Sequence, residues 1–220
     1  MRKLGAVLFD LDGTLADSAA GLADCANDML IARNLSALPF ESLRPAVGSG
    51  ARGMLSVAFG VMPGHDQFIP LREEFLQLYE QRMMEKTRLF DEVHCLLDHL
   101  EQLGLPWGIV TNKALRFAQP MTAALGLVPR TKVLVGGDST AHTKPHPAPL
   151  LEAARRLDVM PEHCVYVGDD IRDIQAGRAA GMSTLAAAWG YLGYGANVNE
   201  WGADAVLMTP SKLLKALDLV

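Results

Sequence analysis

Apolar residues run from Leu4 to Phe9, broken only by Gly5, and stop at Asp10. So short an apolar run that ends abruptly in a carboxylate predicts a buried strand over residues 4–10. Asp17 or Ser18 can then cap a helix running to about Arg33. From there to about Lys86 the apolar spacing is helical, with Phe68, Leu71, Phe75, Leu78 and Tyr79 forming one stripe. No strand is expected between residues 17 and 90. After Phe90 the period changes repeatedly. Val93, Leu96, Leu97, Leu100 and Leu103 mark an amphipathic helix, and WGIV (107–110) a buried strand. Residues 114–125 read as a helix that Pro120 should kink or shift. KVLVGG (132–137) is a strand, 148–157 a helix, CVYVG (164–168) a strand, 173–180 a helix, 183–188 and 204–208 strands, and 211–218 a helix.

Strands that alternate with helices predict an α/β fold, a parallel sheet with helices on both faces. The helical block at 17–86 is then an insertion after the first strand.

Composition narrows the function. Of 220 residues half are apolar, ample for a sizeable core, and the net charge is −5. That balance argues against a nucleic-acid surface and against anionic membrane. Three cysteines, Cys25, Cys95 and Cys164, widely spaced and without a CxxC pair, predict neither a disulfide framework nor a zinc site. Arg2 and Lys3 precede an apolar run too short for a signal peptide. No stretch reaches the ~18 apolar residues of a membrane span. A cytoplasmic protein is the expectation; the oligomeric state stays open.

Ligands of open α/β sheets bind beyond the carboxyl ends of the strands. The polar residues that follow the predicted strands are Asp10 and Asp12, then Thr111 and Asn112, then Asp138 and Lys144 (in HTKPHP), then Asp169, Asp170 and Asp173. Each has a bland reading. Asp-Gly is a turn signal, a lone threonine is usually structural, and a lone lysine is usually solvated. Yet a hairpin needs a second strand, which residues 14–20 do not supply, and all four groups fall in register. Asp10 and Asp12, two apart on extended chain, project to one side. Gly13 permits a turn that brings backbone close to a ligand.

DLDGTL, VTNK, KPHP and VGDDIRD, in this order over residues 10–173, resemble the haloacid dehalogenase-like hydrolase superfamily. The helical block resembles the α-helical cap of its phosphoglycolate phosphatase branch. WGIVTNKALRFAQP and the tail GYLGYGANVNEWGADAVL resemble the bacterial N-acetylmuramic acid 6-phosphate phosphatases. The resemblance implies a Rossmann-like core, residues 1–15 and 88–220, and a specificity cap, residues 16–87. It implies a Mg²⁺-dependent phosphomonoesterase acting on a small carboxylate-bearing ester, 2-phosphoglycolate or N-acetylmuramic acid 6-phosphate. Asp10 would be the nucleophile that forms an aspartyl phosphate. Asp12 would be the acid and base, a role worth about 10²–10⁴ in rate. Asp10, the Asp12 carbonyl and Asp169 would hold Mg²⁺, with Asp173 orienting a water or ligand. Asp170 is less typical, since many relatives carry a small hydroxyl residue there. Lys144 would offset charge between Asp10 and the phosphoryl group. Thr111 would give it hydroxyl and backbone N–H bonds, with Asn112 as a further substrate contact.

GSGARG (48–53) formally matches a dinucleotide fingerprint, but it lies in a helical block with no flanking strand. The resemblance makes it the substrate loop of the cap, with Gly50 and Arg52 as substrate contacts; the plain alternative is a turn between helices. His142 and His146 are separated by prolines and read as solvated loop residues. No lysine occurs between Leu15 and Glu85, which disfavours Schiff-base phosphonate chemistry. The cap cations are Arg33, Arg44, Arg52, Arg72 and Arg82, and arginine suits bidentate capture of a carboxylate. The alternatives are a sugar phosphomutase of the same fold and a non-catalytic binding protein.

Overall fold

The protein is described as a computed structural model covering residues 4–195 and 197–219. Arg2 and Lys3, and Ala196 of the tail motif, lie outside the described residues. The main sheet is built from β1 (Ala6–Phe9), β4 (Trp107–Val110), β5 (Leu134–Val135), β6 (Cys164–Gly168), β7 (Ser183–Ala187) and β8 (Ala205–Leu207). They lie in the order β5-β4-β1-β6-β7-β8, and every pairing is parallel. The expected parallel α/β sheet is therefore present. The chain fills one side of β1 and then the other, so β1 is central and its carboxyl end sits at the switch point where such sheets bind ligands.

Alternation along β1 sets the two faces. Val7 and Phe9 join an apolar cluster with Val93, Leu96, Leu97 and Leu100 of α5 (Val93–Gln102), Phe117 and Met121 of α6 (Leu115–Ala124), and Leu213 of α9 (Lys212–Ala216). Ala6 and Leu8 face the opposite way, onto Leu150, Ala153 and Ala154 of α7 (Ala148–Leu157) and Ala176 of α8 (Ile171–Ala179). Full burial of each large apolar side chain is worth about 1.5–3 kcal/mol, so these stripes hold the helices on the sheet.

The sequence misreads some elements. Two strands occur where none was expected: β2 (Ala16–Asp17) and β3 (Arg88–Leu89) pair antiparallel. At two residues each they leave no readable period, and they are specified only by each other. They tie together the two linkers of the inserted block. Inside it lie α1 (Ala19–Ile31), α2 (Phe40–Leu43), a 3-10 turn over Arg44–Ser49, α3 (Gly50–Phe59) and α4 (Phe68–Arg82). The strand expected at 132–137 pairs only at Leu134–Val135. Pro120 lies inside α6, whose start is not shifted. The block shares the apolar cluster of the first sheet face through Leu22, Met29, Phe75 and Tyr79.

Candidate active site

Phe9 pairs in register with Ile109 on one side and Val167 on the other. The residues that follow those strands therefore emerge together. Asp10, Thr111, Lys144, Asp169 and Asp173 line one cavity of about 500 Å³, along with Asp12 and Asn112.

Lys144 is the hub. Its ammonium lies 2.9 Å from Asp10 Oδ1 and 2.7 Å from Asp173 Oδ1, and it donates to Tyr166 Oη at 2.8 Å and to the Val110 carbonyl at 3.1 Å. Burial alone would lower its pKa, but the two carboxylates outweigh that and raise it. Asn112 holds this lysine in place: its Oδ1 accepts from the Lys144 N–H at 2.9 Å, and its Nδ2 donates to the Lys144 carbonyl at 3.0 Å. The side chain expected to touch substrate is thus engaged with the main chain of Lys144. Thr111 and Asn112 both line the cavity, while the expectation for the Thr111 backbone N–H is corrected. Its backbone N–H donates to the Val135 carbonyl at 2.9 Å, as the β4–β5 ladder requires, and is not offered to a phosphoryl group. Its Oγ1 accepts from the Lys113 N–H at 3.1 Å, which leaves the hydroxyl proton for the cavity.

The carboxylates are crowded. Asp10 Oδ1 accepts from the Leu11 N–H at 2.7 Å. Burial pushes its pKa up to about 7, and Asp173 and Asp12 add to the rise against the pull of Lys144. Asp169 is raised well above the usual carboxylate range, first by burial and then by Asp10 and Asp173. It is held by Thr14 Oγ1 at 3.1 Å and by the Tyr191 N–H at 2.8 Å. Gly13, at φ +86°, passes so close to Asp169 that a Cβ there would sit 2.1 Å from its Oδ2. Carboxylate oxygens of Asp10, Asp169 and Asp173 lie within 4.8 Å of one another. An all-oxygen set, short of positive charge and with only one lysine among its three acids, fits a hard divalent cation such as Mg²⁺.

Asp12 stands apart from Lys144. It accepts from Ser18 Oγ at 2.5 Å and pairs with Lys113 Nζ at 3.2 Å. Ser18 does occupy the N-cap of α1, yet its side chain makes no cap bond because it reaches Asp12 instead. Lys113, the last residue of VTNK, is a site residue that the sequence reading does not reach. Its ammonium also donates to Tyr79 Oη of α4 at 2.9 Å and lies 4.7 Å from the ring centre. Burial opposes its charge, but Asp12 and Tyr79 raise its pKa. The signal that could have found it is position: Lys113 directly follows Asn112, at the same strand end. Asp170 is the N-cap of α8, where a capping box joins it to Asp173. Its carboxylate takes Arg172 Nε at 2.7 Å and Nη2 at 2.8 Å, and it lies outside the cluster formed by Asp10, Asp169 and Asp173.

The inserted block closes the cavity. Gly48, Ser49, Gly50, Ala51 and Arg52, at the N-terminus of α3, line it, as does Arg72 of α4. The other arginines of the block are committed elsewhere. Arg33 pairs with Glu74, Arg82 with Asp28 and Glu85, and Arg44 donates to the Gly190 carbonyl. Arg116, at the start of α6, was not singled out from the sequence; it stacks on Phe117 and lines the same cavity. The apolar wall is Leu22, Val47, Phe75, Leu76 and Phe117. His142 and His146 lie exposed in the loop after β5, ring centres 4.2 Å apart.

A parallel α/β core that gathers acids and a buried lysine at the ends of its strands, under an inserted helical block, has the build of a Rossmann-like enzyme with its site at the sheet's switch point. A family model described as haloacid dehalogenase-like hydrolase matches residues 7–187. A phosphoglycolate phosphatase of Xanthomonas campestris pv. campestris (strain 8004) is 47% identical over 215 residues, 97% of this chain and 96% of that protein. An N-acetylmuramic acid 6-phosphate phosphatase of Pseudomonas putida is 41% identical over 216 residues, 98% of this chain and 97% of that protein. A crystal structure of a predicted phosphoglycolate phosphatase from Haemophilus somnus 129PT superposes with a TM-score of 0.86 at 27% identity, covering 99% of each chain. The chain belongs to the haloacid dehalogenase-like hydrolase family.

Proposed function

We propose that the protein is a Mg²⁺-dependent phosphomonoesterase acting on a carboxylate-bearing phosphate ester of sugar size, N-acetylmuramic acid 6-phosphate rather than 2-phosphoglycolate. The observation that carries the choice is the cavity. At about 500 Å³ it lies in the range that buries drug-sized ligands, and a two-carbon ester would fill a small part of it. The apolar wall of Phe75, Leu76 and Phe117 suits the ring and acetamide of a hexosamine, and Arg52, Arg72 and Arg116 suit a carboxylate at its far end. Both relatives named above act, by their names, on esters that carry a carboxylate. Among the described residues no helix is long and apolar enough to cross a membrane; we place the enzyme in the cytoplasm.

In this reading residues 1–15 and 88–220 form the core and residues 16–87 the cap. Asp10 attacks phosphorus; the P–O bond to the sugar breaks and an aspartyl phosphate forms. Asp12 gives its proton to the departing alkoxide. It then takes one from water, which attacks phosphorus and frees phosphate and the Asp10 carboxylate. The Thr111 hydroxyl and the Lys144 ammonium hold phosphoryl oxygens in line. Asp10, the Asp12 carbonyl and Asp169 would hold Mg²⁺, with Asp173, already bonded to Lys144 and the Asp170 N–H, acting through water. Bound there, the cation lowers the repulsion between nucleophile and phosphate dianion. The test is kcat/KM for both esters with Mg²⁺. A preference of tenfold or more for 2-phosphoglycolate would overturn the substrate assignment, and no turnover of any phosphate ester would overturn the enzyme.

A further inference from the structure

The tail motif GYLGYG has no part in the bond-making steps above, yet it contacts Asp169, both linkers of the inserted block, and Ser42 and Arg44 within it. We propose that the strap Trp189–Tyr194 is a positioning device: it holds the Asp169 carboxylate and the cap in mutual register, so that cation binding and docking of cap residues 40–49 favour each other. This rests on the reading that Asp10 and Asp169 take Mg²⁺.

The contacts lie on three sides. Toward the acids, the Tyr191 N–H donates to Asp169 Oδ2 at 2.8 Å, and a Cβ on Gly190 would fall 2.2 Å from the Asp169 Cβ, so only glycine lets the strap pass so close. Toward the hinge, the Trp189 indole donates to the Thr14 carbonyl at 3.0 Å, the Tyr191 hydroxyl accepts from the Ser18 N–H at 2.8 Å, and the Tyr191 ring packs on Phe90 at 6.3 Å. Tyr191 thus touches both linkers of the cap, beside β2 and beside β3. Toward the cap, Arg44 donates to the Gly190 carbonyl at 2.9 Å with its guanidinium 5.4 Å from the centre of the Tyr191 ring, and Tyr194 Oη donates to the Ser42 carbonyl at 3.0 Å. Arg172 adds a second tie, donating to the Gly48 carbonyl at 2.6 Å.

A cap on two linkers opens by turning about them. Such a turn pulls Arg44 and Ser42 off the strap and strips the support behind the Tyr191 N–H, which fixes one oxygen of Asp169. An Asp169 carboxylate so freed is a poorer cation ligand, because its orientation must be bought back on binding. By linkage the effect is reciprocal: the cation must favour the docked cap to the same degree. Tyr191 and Arg44 are positioning residues, since neither touches the substrate cavity.

The test needs no substrate. Mg²⁺ is titrated by calorimetry into wild type, Arg44→Ala, Arg44→Lys and Tyr191→Phe, and amide hydrogen exchange of residues 40–49 is followed with and without Mg²⁺. In wild type Mg²⁺ should slow exchange across 40–49, a segment that holds none of the proposed ligands. Arg44→Ala should abolish that slowing and weaken Mg²⁺ binding about five- to tenfold, the low end of usual coupling. Arg44→Lys should lie between, and Tyr191→Phe, which keeps ring and N–H but frees the hinge, should match Arg44→Ala. Circular dichroism checks the fold, and Arg44→Lys carries the result if Arg44→Ala does not fold. Wild-type affinity in the folded variants, or 40–49 exchange indifferent to Mg²⁺, would overturn the strap and leave the metal site standing. No Mg²⁺ binding by wild type would overturn both.

Discussion

Replacing Asp10 by asparagine should destroy activity and at the same time make the cation-free protein more stable. The amide keeps the shape, and its oxygen can still accept from the Leu11 N–H and from Lys144, which meet Asp10 Oδ1 at 2.7 and 2.9 Å. What is lost is a buried charge whose pKa is pushed from the ordinary 3.8 to about 7. Between those values the folded protein binds a proton that the unfolded chain lacks, so stability falls as pH rises through the window and levels off above about 7. At about 1.4 kcal/mol per pH unit the ionised carboxylate costs at most about 4 kcal/mol at pH 8. The gain of the variant should therefore be largest at pH 8 and less than half as large at pH 5, where native Asp10 is already protonated. Even a quarter of that ceiling raises Tm by about 2–4 °C in a chain of this size. Thermal melts of both proteins in EDTA at pH 5 and pH 8, with turnover of a phosphate ester measured alongside, make the assay. A variant less stable than wild type at pH 8 would refute the electrostatic reasoning. One that keeps more than about a tenth of the activity, a loss under ~1.4 kcal/mol, would refute Asp10 as nucleophile.

EDTA should abolish turnover and Mg²⁺ restore it, with Zn²⁺ a poor substitute for an all-oxygen site; full activity in metal-free buffer would end that assignment. Asp169→Ala should weaken Mg²⁺ binding in a calorimetric titration. Arg52→Ala should cost a carboxylate-bearing ester roughly 1.5–3 kcal/mol in kcat/KM and leave p-nitrophenyl phosphate almost unchanged; an equal fall for both would make Arg52 a support for the fold. Lys113→Met should cut kcat by about tenfold or more with little change in KM, because Asp12 loses the partner that orients it for proton transfer. An unchanged kcat would mean that Lys113 only anchors the inserted helical block through Tyr79.

The core was legible because its signals are local. A strand buried on both faces reads as an apolar run, and the residue after it inherits the strand end; Asp10, Thr111 and Asp169 reach the cavity that way, and Lys144 from the loop after β5. What escaped was decided across the chain. β2 and β3 are two residues each and owe their pairing to linkers some seventy residues apart. Asn112 is a polar residue at a strand end like its neighbours, and only the path of the HTKP loop turns it onto the Lys144 peptide. The Thr111 N–H is taken by a ladder partner, Val135, that the motif does not contain. Nothing local in the sequence sets Lys113 apart from a solvated lysine. The reason it is not lies in α4, where Tyr79 arrives from a helix with no motif of its own.

The cationic side chains of the site are shared unevenly among its acids. Lys144 serves Asp10 and Asp173, and Lys113 serves Asp12. Arg172 serves Asp170. Asp169 is buried to 2% exposure and, among the described residues, makes no ion pair; it is held only by a hydroxyl and a backbone N–H. A carboxylate in that position is costly to ionise, which is why its pKa stands so far above the ordinary range. Hydrogen bonds aim its oxygens without neutralising them. Among the described residues Asp169 is thus a fully buried acid of the site that no side-chain cation neutralises, with its oxygens fixed beside those of Asp10 and Asp173.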